Sequence, residues 1–309
     1  MFFTNVSTTV PVGGTITGTF VVHSEREIDP TAIRVDLFGQ ETAFVVHYPP
    51  RPRFEGSALH AGAPAGQSLE QTQRFLEASV GWETGGAASG EFYRLPFSIE
   101  LPADSPPSLR TGESDFVARR LHREPSAGMF VEYTLEGRVH HPMWTDHIEY
   151  QIVHVIPAVG VLGRIANLRA DDSANGVSLM INPAATDVIP GRPITGFFQV
   201  LNPRNLKFES LTIALVRRVA YSAQGIEHTL EGPRFEGVVE VPHHQSQFAG
   251  QFSIAIPVGL DTIPAMRGHL FQSEWVFGAS LKGGMLSEPL EVEAAAPPPM
   301  SPATFGSPP

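Results

Sequence analysis

The residues best equipped for chemistry in this 309-residue chain are histidines and arginines gathered near turns. His140, His141, Asp146 and His147 flank one turn, and His243–His244 form a second pair. Imidazole and carboxylate groups hold zinc, nickel or copper when they converge at a turn. Neighbouring residues on a strand point to opposite faces, however, so the plainer reading is a solvated turn, and no metal site is assigned. Arg110, Arg119, Arg120 and Arg123, with His122, lie in LRTGESDFVARRLHRE. Guanidinium forks of this kind could clamp a phosphate or carboxylate of a partner. Glu113, Asp115 and Glu124 offer them local partners, so a salt-bridged loop is the plainer reading there. Arg217–Arg218, after a strand, is discounted in the same way. The chain has no Gly-x-Ser-x-Gly elbow, no His-Glu-x-x-His and no phosphate-binding Gly-x-x-x-x-Gly-Lys loop. Nothing in the spacing nominates a general base. The expectation is a protein that is not an enzyme, with no catalytic residue and no cofactor.

Composition narrows the scaffold that must hold these groups. A hydrophobic share of 42% with 17% charged residues suits a globular chain with real cores. Gly (29) and Pro (28) are scattered as turn punctuation, which favours many short strands. A net charge of -11 argues against nucleic acid, whose phosphates call for a basic surface. Cysteine is absent, so neither a disulfide framework nor a thiolate zinc site is available. MFFTNVSTTV lacks the features of a signal peptide, and no apolar run is long enough for a membrane-spanning helix. A cytoplasmic location is expected.

The sequence repeats itself. GGTITGTFVV (13–22) and GRPITGFFQV (191–200) agree at six of ten positions, at an offset of 178. The same offset sets Ile33–Leu37 over Leu211–Leu215. HYPPRPRFEG (47–56) agrees with HTLEGPRFEG (228–237) at six of ten, and FSIELP (97–102) matches FSIAIP (252–257). Glu132-Tyr133 then matches Glu274-Trp275. Five matches in one order indicate a duplication. The first copy is longer by about 26 residues before its Glu-aromatic element's neighbour FSI and by about 13 after it, insertions that belong in loops.

The repeated elements read as strands. TITGTFVV and IRVDLF alternate at period two, and Val131, Tyr133, Leu135 and Val139 share one side of a third such run. Ile148, Tyr150 and Ile152, with His154, continue into a facing strand. LEQTQRFLEASV (69–80) reads as a short helix with Leu69, Gln73, Leu76 and Val80 on one face. Phe54 and Phe235 of the repeated Arg-Phe-Glu-Gly element read as core anchors whose glycines end strands. Trp275 reads as core.

Two tandem sandwiches, each opening on a Gly-x-Ile-x-Gly-x-Phe type of strand, resemble the arrestin family. IRVDLFG (33–39), LPFSIELPADSPPS (95–108) and VEYTLEGRVHHPMWTD (131–146) resemble segments of its N-domain. VIPGRPITGFFQVLN and FSIAIPVGL resemble its C-domain. The resemblance implies an all-β fold of two immunoglobulin-like antiparallel sandwiches, at residues 1–160 and 172–293, with at most one short helix in the first. The Pro-rich tail, 294–309, is expected to be disordered. No lysine precedes Lys207, so the paired-lysine phosphate sensor of visual and β-arrestins is not carried over. The tail has no tyrosine for a PPxY motif. The family implies a non-enzymatic adaptor or scaffold for protein partners, including cytoplasmic parts of membrane proteins and trafficking or signalling components. Peripheral membrane association is compatible with it, and Arg110, Arg119, Arg120 and Arg123 are the candidate partner or anion contacts. The alternatives are a sandwich module that binds a sugar or a metal, and a regulatory protein like those of bacterial sporulation control.

Overall fold

In the computed structural model the described residues are 1–23, 33–47, 67–82, 92–112, 127–140, 147–157, 163–164, 170–174, 176–184, 187–239, 245–258, 265–283 and 290–295. Among them the fold is all-β, with no helix. The first ten strands are β1 (Phe2–Thr4), β2 (Thr9–Pro11), β3 (Thr15–His23), β4 (Ile33–His47), β5 (Gln67–Gly81), β6 (Phe92–Glu100), β7 (Leu109–Gly112), β8 (Gly128–Val139), β9 (His147–Ile156) and β10 (Gly163–Arg164). They are followed by β11 (Ala170–Ala174), β12 (Val177–Pro183), β13 (Asp187–Val188), β14 (Ile194–Leu201), β15 (Phe208–Ala223), β16 (Ile226–Val239), β17 (Gln247–Ile254), β18 (Met266–Arg267), β19 (Phe271–Gly283) and β20 (Leu290–Ala295).

These strands form β1-β3-β6, β2-β9-β8-β4-β5 with β7 added to β8, β11-β12-β14-β17, and β16-β15-β19-β18 with β20 added to β19. A two-stranded β10-β13 ribbon completes the set. All pairings are antiparallel except β2 on β9. The pattern of neighbours recurs along the chain. β3 pairs with β6 as β14 does with β17, and β5-β4-β8-β9 has the same order as β16-β15-β19-β20.

The repeated Ile-Thr-Gly and Phe-Ser-Ile words have a shared physical cause. Gly18 lies directly opposite Phe97, and Gly196 opposite Phe252. A Cβ on either glycine would stand 2.6 Å from the ring Cζ of its phenylalanine. Each ring therefore lies across a strand that has no side chain at that point, and the pair is conserved between the copies as a packing unit.

The helix expected at 69–80 is a strand, β5, paired with β4 along its whole length. Leu69 and Gln71 are half-buried, and Leu76, Ala78 and Val80 continue the half-buried set in the other phase. The switch is a bulge: Gly39 pairs with Leu76 and Gln40 with Arg74, which leaves Phe75 as an extra residue. The phase change makes a strand look like the helical spacing of Leu69, Gln73, Leu76 and Val80. Gly39 makes room for it, since a Cβ there would meet the Phe75 ring at 2.7 Å.

Buried apolar side chains gather in two clusters. One holds Ile16, Phe20, Leu37, Met129, Tyr133 and Leu135, and takes in Val219, Tyr221, Leu270 and Phe271 from the far ends of β15 and β19. The other holds Leu179, Ile181, Phe208, Leu215, Trp275 and Phe277. Full burial of one such side chain contributes about 1.5–3 kcal/mol. The core reading of Trp275 holds, with its ring stacked on Phe235 at 6.0 Å. Phe235 is partly buried against the second cluster, but Gly237 does not end its strand, because β16 runs on to Val239. Phe54 lies outside the described residues. Ala294 and Ala295, assigned above to the tail, pair with Phe277 and Val276 in β20.

Long strands carry the two parts of the chain together. Gln224 (φ 51) and Gly225 (φ 79) form a two-residue turn with both φ positive between β15 and β16. That turn meets β5, where the Gln224 N–H donates to Gln71 Oε1 at 2.8 Å and its Nε2 donates to the Glu70 carbonyl at 3.2 Å.

Candidate functional site

The histidine turn is only partly described. His140 follows the end of β8 and His147 opens β9, and both are exposed, while His141 and Asp146 lie outside the described residues, as do His243 and His244. Among the described residues no three His, Asp or Glu side chains converge on a common point for a metal. Of the basic segment, Arg119, Arg120 and Arg123 lie outside the described residues. Arg110 stands on β7 and approaches Glu132 of β8 at 3.5 Å. The pair contributes little to stability, since Arg110 is well exposed. Arg217 and Arg218, read as one solvated pair, point to opposite faces: Arg218 meets Glu231 at 3.1 Å on the outside, whereas Arg217 is buried.

The face of β9 is the most unusual surface of the molecule. Register with β8 sets Val153 opposite the buried Tyr133, so Val153 and Val155 point inward. Glu149 and Gln151 share that inward side and are half-buried. Ile148 (38% exposed), Tyr150 (60%), Ile152 (45%) and Ile156 (42%) therefore face outward. A strand on the rim of a sandwich should put its polar residues outside, yet β9 exposes these four apolar side chains while Val153 and Val155 fill its inner face.

The edge of β9 is open where the stripe is strongest. β2 pairs in parallel with His154–Ile156 only, and among the described residues no strand lies along the outer edge of His147–Val153. Unpaired N–H and C=O groups beside an apolar stripe are a template for another strand. A groove of about 620 Å³ adjoins the stripe, lined by Thr8, Ser108, Arg110, Glu132, Ile152 and His154 among others. Its floor is fixed by Ser108, whose Oγ accepts from the Val155 N–H at 2.9 Å and whose own N–H donates to the Val155 carbonyl at 2.7 Å. Arg110 thus supplies a charge at the end of an apolar strand edge, and the arrangement can hold an extended peptide.

A second feature joins distant parts of the chain. Glu41 on β4 is 1% exposed, and its Oε2 accepts from the N–H groups of His269 (2.8 Å) and Leu270 (2.9 Å). Burial pushes the Glu41 carboxyl above its ordinary range, against the opposite pull of the Leu270 and His269 N–H groups and the His269 side chain. Gly268 is required beside it, because a Cβ there would stand 2.4 Å from Glu41 Oε1. The sequence reading missed Glu41, whose partners are remote in the chain, and missed the burial of Arg217, for which a local signal existed.

The site belongs to an all-β protein of antiparallel sheets with one apolar rim and no helix, among the described residues, long and apolar enough to cross a membrane. No protein-family model and no curated protein matches the chain.

Proposed function

We propose that the protein is a non-enzymatic, cytoplasmic adaptor of arrestin-like, two-unit organisation that captures extended segments of partner proteins by strand addition at β9. Cytoplasmic parts of membrane proteins and components of signalling or trafficking assemblies are the partners this reading names. The recurring neighbour order of β3–β6 and β14–β17, and of β5-β4-β8-β9 and β16-β15-β19-β20, supports the two-unit reading. The observation that carries the adaptor role is the outer face of β9, where Ile148, Tyr150 and Ile152 are exposed along a sheet edge that no strand among the described residues covers. Main-chain hydrogen bonds supply affinity in this mode, and alternate side-chain contacts supply specificity. The net charge of -11 fits partners other than nucleic acid.

The test places a photo-crosslinking residue at Tyr150 of the full chain in its native cell and identifies the products by mass spectrometry. A discrete partner, joined through an extended segment and lost when Ile148→Glu and Ile152→Glu are added, supports the reading. Equal capture by that variant, or no discrete product at all, overturns it.

A further inference from the structure

The open edge of β9 has a definite main-chain pattern. The His154 N–H donates to the Thr8 carbonyl at 2.8 Å, and the Ile156 carbonyl accepts from the Val12 N–H at 2.9 Å. The even-numbered residues of β9 therefore turn their main-chain groups away from β8. Contact with the N-terminal segment ends at Thr8, because the Ser7 N–H turns aside to donate to the Thr17 carbonyl of β3 at 2.9 Å. Ile148, Tyr150 and Ile152 thus present N–H and C=O groups to an edge that no strand among the described residues covers. The Ile152 carbonyl accepts instead from the neighbouring Gln151 Nε2 at 3.0 Å.

The same three residues carry the exposed apolar side chains, and their stripe is one strand wide. Across the β8 ladder they face Arg138, Glu136 and Thr134, the first two joined as an ion pair. The stripe can widen over apolar surface on its open side alone, against a strand that brings a matching row. A second β9, laid antiparallel about a twofold axis through Tyr150, brings that row. Tyr150 then faces Tyr150, and Ile148 faces Ile152 of the second copy, each pair exchanging both main-chain hydrogen bonds. Glu149 faces Gln151 of the second copy in the closer, non-hydrogen-bonded kind of pair, where a carboxylate meets an amide donor. Neighbouring registers do worse. An axis through Glu149 sets that carboxylate against itself. An axis through Gln151 sets Ile148 against His154, whose N–H is already bonded to Thr8. An axis between two residues opposes outward main-chain groups to inward ones and makes no ladder. One register satisfies main chain, apolar stripe and charge together.

We infer that β9 pairs with β9 of a second copy, antiparallel and centred on Tyr150, to give a twofold-symmetric dimer. The contact is one short strand, so it belongs to the small, transient class of interface and forms as concentration rises. Self-pairing covers the edge that captures partner segments and so regulates it; that regulation rests on the adaptor reading, whereas the pairing itself needs only the open edge.

The chain has no cysteine, so introduced thiols report the register directly. Full-length Tyr150→Cys, Ile148→Cys and Ile152→Cys are oxidised with copper phenanthroline and separated on non-reducing gels. Opposed residues of a hydrogen-bonded pair have Cα atoms about 5.5 Å apart, within the span of a disulfide. Tyr150→Cys is expected to form a covalent dimer by itself. Ile148→Cys and Ile152→Cys should not do so separately, since like positions lie about 14 Å apart along the strands, but should do so when mixed. Sedimentation equilibrium of the unoxidised protein follows the charge pair. Gln151→Lys should tighten the dimer about two- to thirty-fold, the worth of two opposite-charge cross-strand pairs, and Gln151→Glu should loosen it. The proposal is overturned if the wild type stays monomeric up to millimolar concentration. It is also overturned if Ile148→Cys alone couples as readily as Tyr150→Cys, or if both Gln151 variants shift association the same way. A monomeric wild type whose Tyr150 still crosslinks to other proteins sinks the dimer and leaves the adaptor role. The expected disulfide pattern with no product in the cell but the chain itself does the reverse.

Discussion

Replacing Glu41 separates two effects that its burial combines. Glu41→Ala leaves the His269 and Leu270 N–H groups, now bonded at 2.8 and 2.9 Å, without an acceptor. An unmet buried donor costs about 1–3 kcal/mol, so the pair sets an expected loss of about 2–5 kcal/mol. Glu41→Gln keeps an oxygen in place for both donors and removes the charge whose burial raises the carboxyl pKa. Its loss at neutral pH should stay within about 1 kcal/mol. The pH dependence has a definite sign. Because the folded-state pKa lies above the ordinary 4.5, the folded protein binds the proton more tightly than the unfolded chain. The stability this contributes is complete below the unfolded pKa and is lost as pH rises through the folded one. Urea unfolding of the wild type and both variants, across mildly acid to neutral pH, measures all of this. Equal losses for Ala and Gln would refute the hydrogen-bond argument. A wild type that gains stability over Glu41→Gln as pH rises through that window would refute the burial argument.

Other consequences follow from particular contacts. Gly18→Val and Gly196→Val drive a side chain into the Phe97 and Phe252 rings, where even a Cβ would stand 2.6 Å away. Each should cost about 1–3 kcal/mol or more, read as a lowered thermal midpoint. Asp36 is buried and accepts from Arg34 Nε at 2.8 Å and Ser79 Oγ at 2.7 Å, tying β4 to β5. Asp36→Ala should cost about 1–3 kcal/mol in the same assay, and Asp36→Asn less. Ile148→Ser with Ile152→Ser removes exposed apolar surface. It should change stability by no more than about 0.5 kcal/mol at each site while reducing self-association in light scattering.

The strands were legible wherever period-two alternation stayed in phase. Ile16, Phe20 and Val22 on β3, and Val131, Tyr133 and Leu135 on β8, are buried as their spacing implies. Alternation failed at β5, where the Phe75 bulge changes phase in mid-strand and imitates a helical repeat. On β9 the strand itself was legible, but its buried side was not, because period two does not say which side meets the core. Only the register of Val153 against Tyr133 decides that. Arg217 was legible in principle, since it is in phase with Leu211, Ile213, Leu215, Val219 and Tyr221, and its charge masked the phase. The Glu41 contact left no trace in the sequence, because its donors lie 228 and 229 residues away and are main-chain groups, which any residue would provide.

Selecting random peptides on the full chain, and then mapping by hydrogen exchange which amides the winners protect, puts the docking role of β9 to the sharpest trial. Sequences with apolar residues at every second position, and slowed exchange concentrated between His147 and Val153, are the expected result. Protection confined to β5 or β16, or winners that bind as helices, would contradict it.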